Sequence, residues 1–258
     1  MKVDAEKGEG VRLAEKYNVR GYPTVIFVNN DSLEIDRIVG YSPPEPFLKE
    51  LKRISRGNDT YLSLVAQIKE NPKDLELLTK YARKLQERKP YSDEGLKVWQ
   101  MIQSLAPPES EKKALAQYQE AKYQAARQQS PEPLETYIET SPESPHLLNA
   151  YSDLTGVYKD LGQEAKEAAT YKKTINLAEK QDQLTPYLLN GYAWRMSELE
   201  RNLEDALTRA QQAVKMIRKG DPTDRAQILD TEAEVLWKLG RTDEAVDAIQ
   251  EAIELQPE

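Results

Sequence analysis

The four residues Gly21-Tyr22-Pro23-Thr24, running into the apolar stretch Val25-Ile26-Phe27-Val28, are the one place where this chain looks as if it once did chemistry. The usual reactive groups are missing around it. The 258 residues contain no cysteine, which removes thiolate catalysis, disulfide exchange, zinc ribbons and iron–sulfur ligation together. His146 is the single histidine, placed after Ser144-Pro145 at a helix start, where a surface position is expected and no metal or triad partner can be named. Carboxylate runs such as Glu198-Leu199-Glu200 and Asp243-Glu244 read as solvated helix faces, not as acid–base pairs. No phosphate-binding glycine loop is present, so no cofactor or metal is expected.

The totals narrow the class further. A hydrophobic fraction of 39% beside 31% charged residues, with only two Phe, describes a soluble helix-rich chain whose apolar positions are spread over many thin interfaces. The net charge of −8 and pI near 5.1 leave no basic patch to neutralise phosphates, and nucleic-acid binding is not expected. No run of about 18 apolar residues occurs, and Met1 to Glu6 has no apolar core of a leader, so neither a membrane span nor a signal peptide is expected. The chain reads as starting inside a domain. Its compartment is left open, and a longer parent would be compatible with a periplasmic or secreted setting. Asn30-Asp31-Ser32 and Asn58-Asp59-Thr60 match the glycosylation triplet, which matters only in a secreted eukaryotic chain.

The elements around the Gly-Tyr-Pro-Thr stretch follow from periodicity. Val11, Leu13, Ala14 and Tyr17 fall at helical spacing, and Asn18 is a stop. Thr24 to Val28 is a β-branched and aromatic run, Asn29 to Ser32 is turn chemistry, and Leu33, Ile35, Ile38 and Val39 resume strand character, which predicts a hairpin. Gly40-Tyr41-Ser42-Pro43-Pro44 breaks the strand, and Phe47, Leu48, Leu51 and Ile54 mark an amphipathic helix ending near Gly57. This order, carried by Leu13 to Thr24, resembles the C-terminal half of the thioredoxin fold. The resemblance implies a cis Tyr22-Pro23 bond, with Tyr22, Pro23 and Thr24 as peptide contacts of the cis-proline loop, and makes Lys2 to Glu6 similar to the end of the preceding central strand. That family's Cys-x-x-Cys helix has no counterpart here, so no catalytic residue is carried over. A lone hairpin is marginal. A terminal strand from Lys2 to Ala5, the helical array or a second copy of the chain is therefore expected to complete it.

Asn58-Asp59-Thr60 caps a connecting helix that Asn71-Pro72 ends. Beyond it the pattern is helix, tight turn, helix. Leu229, Ala233, Leu236, Gly240, Ala245, Ile249, Ala252, Leu255 and Pro257 put small residues seven apart on one face, so that two antiparallel helices can approach closely, with stops at Gly240 and Pro257. These residues resemble a tetratricopeptide (TPR) repeat. Ala206 lies 39 residues before Ala245, and Ala168 lies 38 before Ala206, longer than the ideal of about 34; linkers such as Lys219 to Thr223 account for the excess. Leu75 to Leu85 with Gly95 to Leu105 make a first pair, and Glu111 to Gln128 with Pro133 to Ile138 a degenerate second, giving five pairs of which three carry the full pattern. Trp99, Trp194 and Trp237 are expected to pack between helices.

The fold class is therefore mainly α: residues 1–57 as a small α/β half-thioredoxin-like module, 58–73 as a connecting helix, and 74–258 as an α-α superhelix of TPR-like repeats. The resemblance implies a groove presented by the first helix of each pair. By position it would show Asn149, Ser152, Lys159, Asn190 and Trp194 in the middle units and Gln227, Asp230, Glu234 and Trp237 in the last. Residues 1–57 are close to neutral, so the array holds the whole negative balance, which favours a basic or neutral protein or peptide partner. The function expected is a protein-interaction scaffold without chemistry of its own. The alternative is the C-terminal part of a thioredoxin-family thiol–disulfide oxidoreductase whose Cys-x-x-Cys half lies elsewhere. Without a cysteine the chain should show no turnover in an insulin-reduction assay; measurable reduction would overturn the non-catalytic reading.

Overall fold

The computed structural model describes residues 2–217 and 222–255. They form, in order, α1 (Glu9–Lys16), β1 (Thr24–Val28), β2 (Glu34–Val39), α2 (Pro44–Ser55), α3 (Tyr61–Glu70), α4 (Leu75–Arg88), α5 (Asp93–Leu105), α6 (Glu111–Gln128), α7 (Glu132–Thr140), α8 (Leu147–Asp160), α9 (Glu164–Lys180), α10 (Pro186–Glu198), α11 (Leu203–Met216), α12 (Pro222–Lys238) and α13 (Thr242–Leu255). The chain divides into two compact units, Met1–Gln128 and Gln129–Glu258. The helices read from the sequence as a degenerate second pair fall in different units, α6 packing on α5 in the first and α7 on α8 in the second. The helix stop expected at Pro257 and residues 219–221 of the expected linker lie outside the described residues.

In the first unit the hairpin pairs antiparallel from Thr24↔Val39 to Phe27↔Asp36, with a bulge before Val28↔Glu34. The Tyr22–Pro23 bond is cis, and Gly40, in the left-handed region, donates its N–H to the Pro23 carbonyl at 2.8 Å. Residues 2–5 form no strand, so the terminal-strand completion is corrected: among the described residues the sheet has two strands. What β2 packs on is α3 and α2.

What that packing covers is charge: Val25, Val28, Leu33 and Val39 are exposed, while Glu34, Asp36 and Arg37 are buried. The carboxylate of Asp36, 0% exposed, meets Arg53 of α2 at 2.6 Å and Lys84 of α4 at 2.9 Å. Glu34 takes the Arg37 guanidinium with both oxygens, at 2.7 and 2.8 Å, and Arg88 of α4 at 2.8 Å. Arg37 also donates to the Tyr17 carbonyl just after α1 at 2.6 Å, and Arg53 to the carbonyls of Asn58 and Asp59 before α3. Arg88 lies over the Tyr61 ring of α3, 3.8 Å from its centroid. One ionic joint thus ties the hairpin to four helices. Desolvated charges are tolerable only when paired and hydrogen-bonded, and here each carboxylate has two cations.

The helix pairs are conventional by contrast. Thr60 caps α3 by accepting from the Ser63 N–H, and Asp74 and Ser92 cap α4 and α5 likewise. Leu78, Ala82, Trp99, Ile102, Ala116 and Tyr123 form the core of α4 to α6. Gly95 permits a close approach there, since a Cβ would stand 2.8 Å from the Tyr123 ring. In the second unit the pairs α8/α9, α10/α11 and α12/α13 bury Ala168, Ala206, Ala213 and Ala245 at the helix contacts, as close antiparallel packing requires. Their turns share one geometry: a left-handed residue at Gly162, Glu200 and Gly240, followed by N–H donation from Gln163, Arg201 and Arg241 back to Tyr158, Met196 and Leu236. The middle turn uses a glutamate where its neighbours use glycine.

Two outcomes follow. Asp36→Asn leaves Arg53 and Lys84 without their buried counter-charge and should destabilise the first unit by about 3–5 kcal/mol in denaturant unfolding, far more than Glu76→Gln, whose pair with Lys112 is exposed. Gly162→Ala should destabilise the second unit by about 1–2 kcal/mol, whereas Glu200→Gly should stabilise it by up to a similar amount; the exposed Lys238–Glu200 pair offsets little of that gain.

Candidate functional site

The second unit carries two cavities that meet at one side chain. The first, about 330 Å³, is lined by α8 (Ser152, Thr155, Gly156, Lys159), α9 (Glu167, Tyr171, Thr174) and α10 (Leu188, Gly191, Trp194, Arg195, Glu198). The second, about 370 Å³, is lined by Trp194 of α10, by Asp230, Ala233, Glu234 and Trp237 of α12, and by Thr242, Ala245, Val246 and Ile249 of α13. Trp194 is therefore a wall of both. It is 43% exposed and Trp237 57%, whereas Trp99 is 2% exposed. The expectation that all three pack between helices holds for Trp99 and is corrected for the other two, which project where no neighbouring helix covers them.

Local sequence explains how the cavities stay open. Ser152, Gly156 and Lys159 stand three or four apart on α8, so they share a face, and at Gly156 an added Cβ would meet only open space. Opposite them on α10, a Cβ at Gly191 would stand 2.8 Å from the Tyr171 hydroxyl. The small residue lets the phenol lie under α10, where Tyr171 packs edge-on against Tyr192 at 5.5 Å between ring centroids.

The electrostatics differ between the two halves. In the first, the buried Glu167 binds Arg195 through both oxygens at 2.6 and 2.9 Å, and Arg195 reaches Glu198 at 3.0 Å. The hydrogen bond to Glu167 holds Arg195 above its usual range against the opposing effect of burial. Burial pushes the Tyr171 phenol up, and the neighbouring Glu167 charge adds to the shift. Arg195 offsets one of the two carboxylate charges, and the network fixes the floor. In the second half, Asp230 and Glu234 are four apart on α12, and neither forms an ion pair or side-chain hydrogen bond among the described residues. Lys238 lies over the Trp237 ring at 5.0 Å while paired with Glu200 at 2.9 Å.

Of the groove residues expected from the sequence, Ser152, Lys159 and Trp194 line the first cavity, and Trp194, Asp230, Glu234 and Trp237 the second. Asn149, Asn190 and Gln227 line neither: Asn149 and Gln227 are exposed elsewhere on their helices, and Asn190 is half-buried. Sequence reasoning missed Gly191, Arg195 and Glu198 of α10, and also residues of the second helices, among them Glu167 and Tyr171 of α9 and Val246 and Ile249 of α13. A groove set read only from the first helices could not include the latter; the exposed hydrophobic Val246 beside Ala245 was the available signal. At the other candidate site, Tyr22 is 62% exposed, and the Thr24 hydroxyl donates to the Gly21 carbonyl at 2.7 Å.

Residues 3–55 match the family model of a thioredoxin-like domain. No curated protein matches the sequence. Among solved structures, the chain is similar to nearly identical TPR-like repeats from Podosopora anserina, at 16% identity and a TM-score of 0.54, covering 72% of this chain and 96% of that one. It is similar to BtubC from P. vanneervenii at 13% identity and a TM-score of 0.58, covering 76% and 86%. It is similar also to YrrB, described as a TPR protein with an unusual peptide-binding site, at 15% identity and a TM-score of 0.50, covering 76% and 93%. At these identities the likeness is one of fold. The protein is mainly α, with a thioredoxin-like segment followed by a TPR-like repeat scaffold. Among the described residues no helix is long and apolar enough to cross a membrane, and no group of three acidic or histidine side chains could hold a metal.

Proposed function

We propose that this chain is a protein-docking scaffold whose second unit receives an extended segment of a partner protein, and that it performs no chemistry of its own. One observation carries the reading: two cavities of similar size share Trp194 as a common wall, so a single extended segment can occupy both without a break. Exposed indoles are expensive to leave in water and are favoured anchors at interfaces, because they bury a large rigid area at small entropic cost. The peptide-binding character of YrrB, which has the same fold, supports the reading. A domain division at residues 57 and 73 fits it as well, the thioredoxin-like segment being held to the connecting helix and α4 by the ionic joint. The redox alternative lacks a sulfur nucleophile in this chain.

Panning a random heptapeptide display library on the full chain tests this. Sequences should be enriched on the wild type and lost on the Trp194→Ala/Trp237→Ala double variant, with the helix content of that variant by circular dichroism unchanged because neither side chain belongs to the buried core. Equal enrichment on the two proteins, or none on either, would refute the groove.

A further inference from the structure

Asp230 and Glu234 stand on consecutive turns of α12, on the rim of a cavity whose other walls are Trp194, Trp237 and the aliphatic surface of Ala233, Ala245, Val246 and Ile249. Elsewhere in this unit Glu167, Glu244 and Glu251 on their helices, and Glu200 in the turn after α10, each take a basic partner. These two have none among the described residues. Lys238, one turn beyond Glu234, feels the Glu234 charge but is hydrogen-bonded to Glu200 and lies over the Trp237 ring. The first cavity is different: its two acids, Glu167 and Glu198, are balanced by Arg195 and Lys159, so its lining carries no net charge. The groove therefore runs from a neutral polar half beside α8, across Trp194, to an anionic aromatic half between α12 and α13.

We infer that the second cavity is a pocket for a basic side chain, with arginine favoured over lysine, carried on an extended partner segment that also presents an aliphatic neighbour to Val246 and Ile249. Each component of that side chain has a counterpart. The planar guanidinium stacks on an indole and donates to carboxylates in a fork. The aliphatic stem lies along Ala233 and Ala245 as such stems lie along apolar surface. The −2 charge of the rim would repel an acidic segment, which supplies discrimination as well as attraction. This assignment rests on the peptide-docking reading above and narrows it to one chemistry of partner.

The same library selection decides it. Enriched heptapeptides should contain arginine or lysine next to an aliphatic residue. A synthetic peptide of the most enriched sequence should bind the Asp230→Asn/Glu234→Gln variant at least tenfold more weakly than the wild type. Replacing its basic residue by citrulline, which keeps the shape and removes the charge, should cost a similar factor on the wild type and little on the variant. The Glu234→Gln single variant gives an intermediate loss and guards against a folding defect in the double one. Enriched peptides that lack a basic residue, or unchanged affinity for the variant, would overturn the basic-pocket assignment while leaving the docking groove intact. Failure of any peptide to depend on Trp194 and Trp237 would overturn both.

Discussion

The buried ionic joint at Glu34, Asp36 and Arg37 is the constraint on which the first unit depends. A two-stranded hairpin of eleven residues in all cannot bury enough apolar surface to hold itself, and the one here leaves most of its valines in solvent. Its position is fixed instead by charge: Asp36 is held from α2 and α4, Glu34 from α4 and by its own Arg37, and Arg37 from the end of α1. A buried pair of this kind contributes little net stability over a well-packed apolar contact, but it tolerates no other register, because any slip strands a desolvated charge. The joint therefore sets where the thioredoxin-like segment sits on the helices that follow it, more than how tightly.

The helical part works by the opposite principle. Its contacts are small and apolar, with alanines at the closest approaches and a left-handed residue at each of three successive turns. Each pair contributes a thin layer, and the layers matter together. Because close packing takes up the inward faces, the polar and aromatic residues that face the shared cavities are released from structural duty. Trp194 and Trp237 illustrate this. Trp99, on the second helix of its pair, is enclosed by α4 and α6, whereas the other two, on first helices, line the second cavity.

Part of the lining of the two cavities was legible in the residues, and the part that was not shows why. Position within the repeat placed Ser152, Lys159, Trp194, Asp230, Glu234 and Trp237 on the first helices at spacings of three and four, and the cavities include all six. Asn149, Asn190 and Gln227 follow the same rule of position yet fall outside, because helical spacing fixes a face only to within about a third of a turn and the cavity mouth is narrower than that. Glu167 and Tyr171 could not be read from spacing at all. Their place in the groove depends on Gly191 of α10 being small enough to admit the phenol, a relation between helices and not along one.

What the sequence determined alone was local: the helix and strand spans, the cap at Asn58-Asp59-Thr60, the helix stop at Gly240, and the absence of any thiol. These follow from interactions within a few residues, so composition and period suffice to state them, whereas the cis-proline loop was implied by the family resemblance. What only the tertiary structure decided was which face of each element is covered. The fold buries Glu34, Asp36 and Arg37 and leaves Leu33 exposed, because the matching cations Arg53, Lys84 and Arg88 arrive from helices 17 to 54 residues further along the chain. Burial of a charge is permitted only by its partner, and the partner's position is a property of the fold.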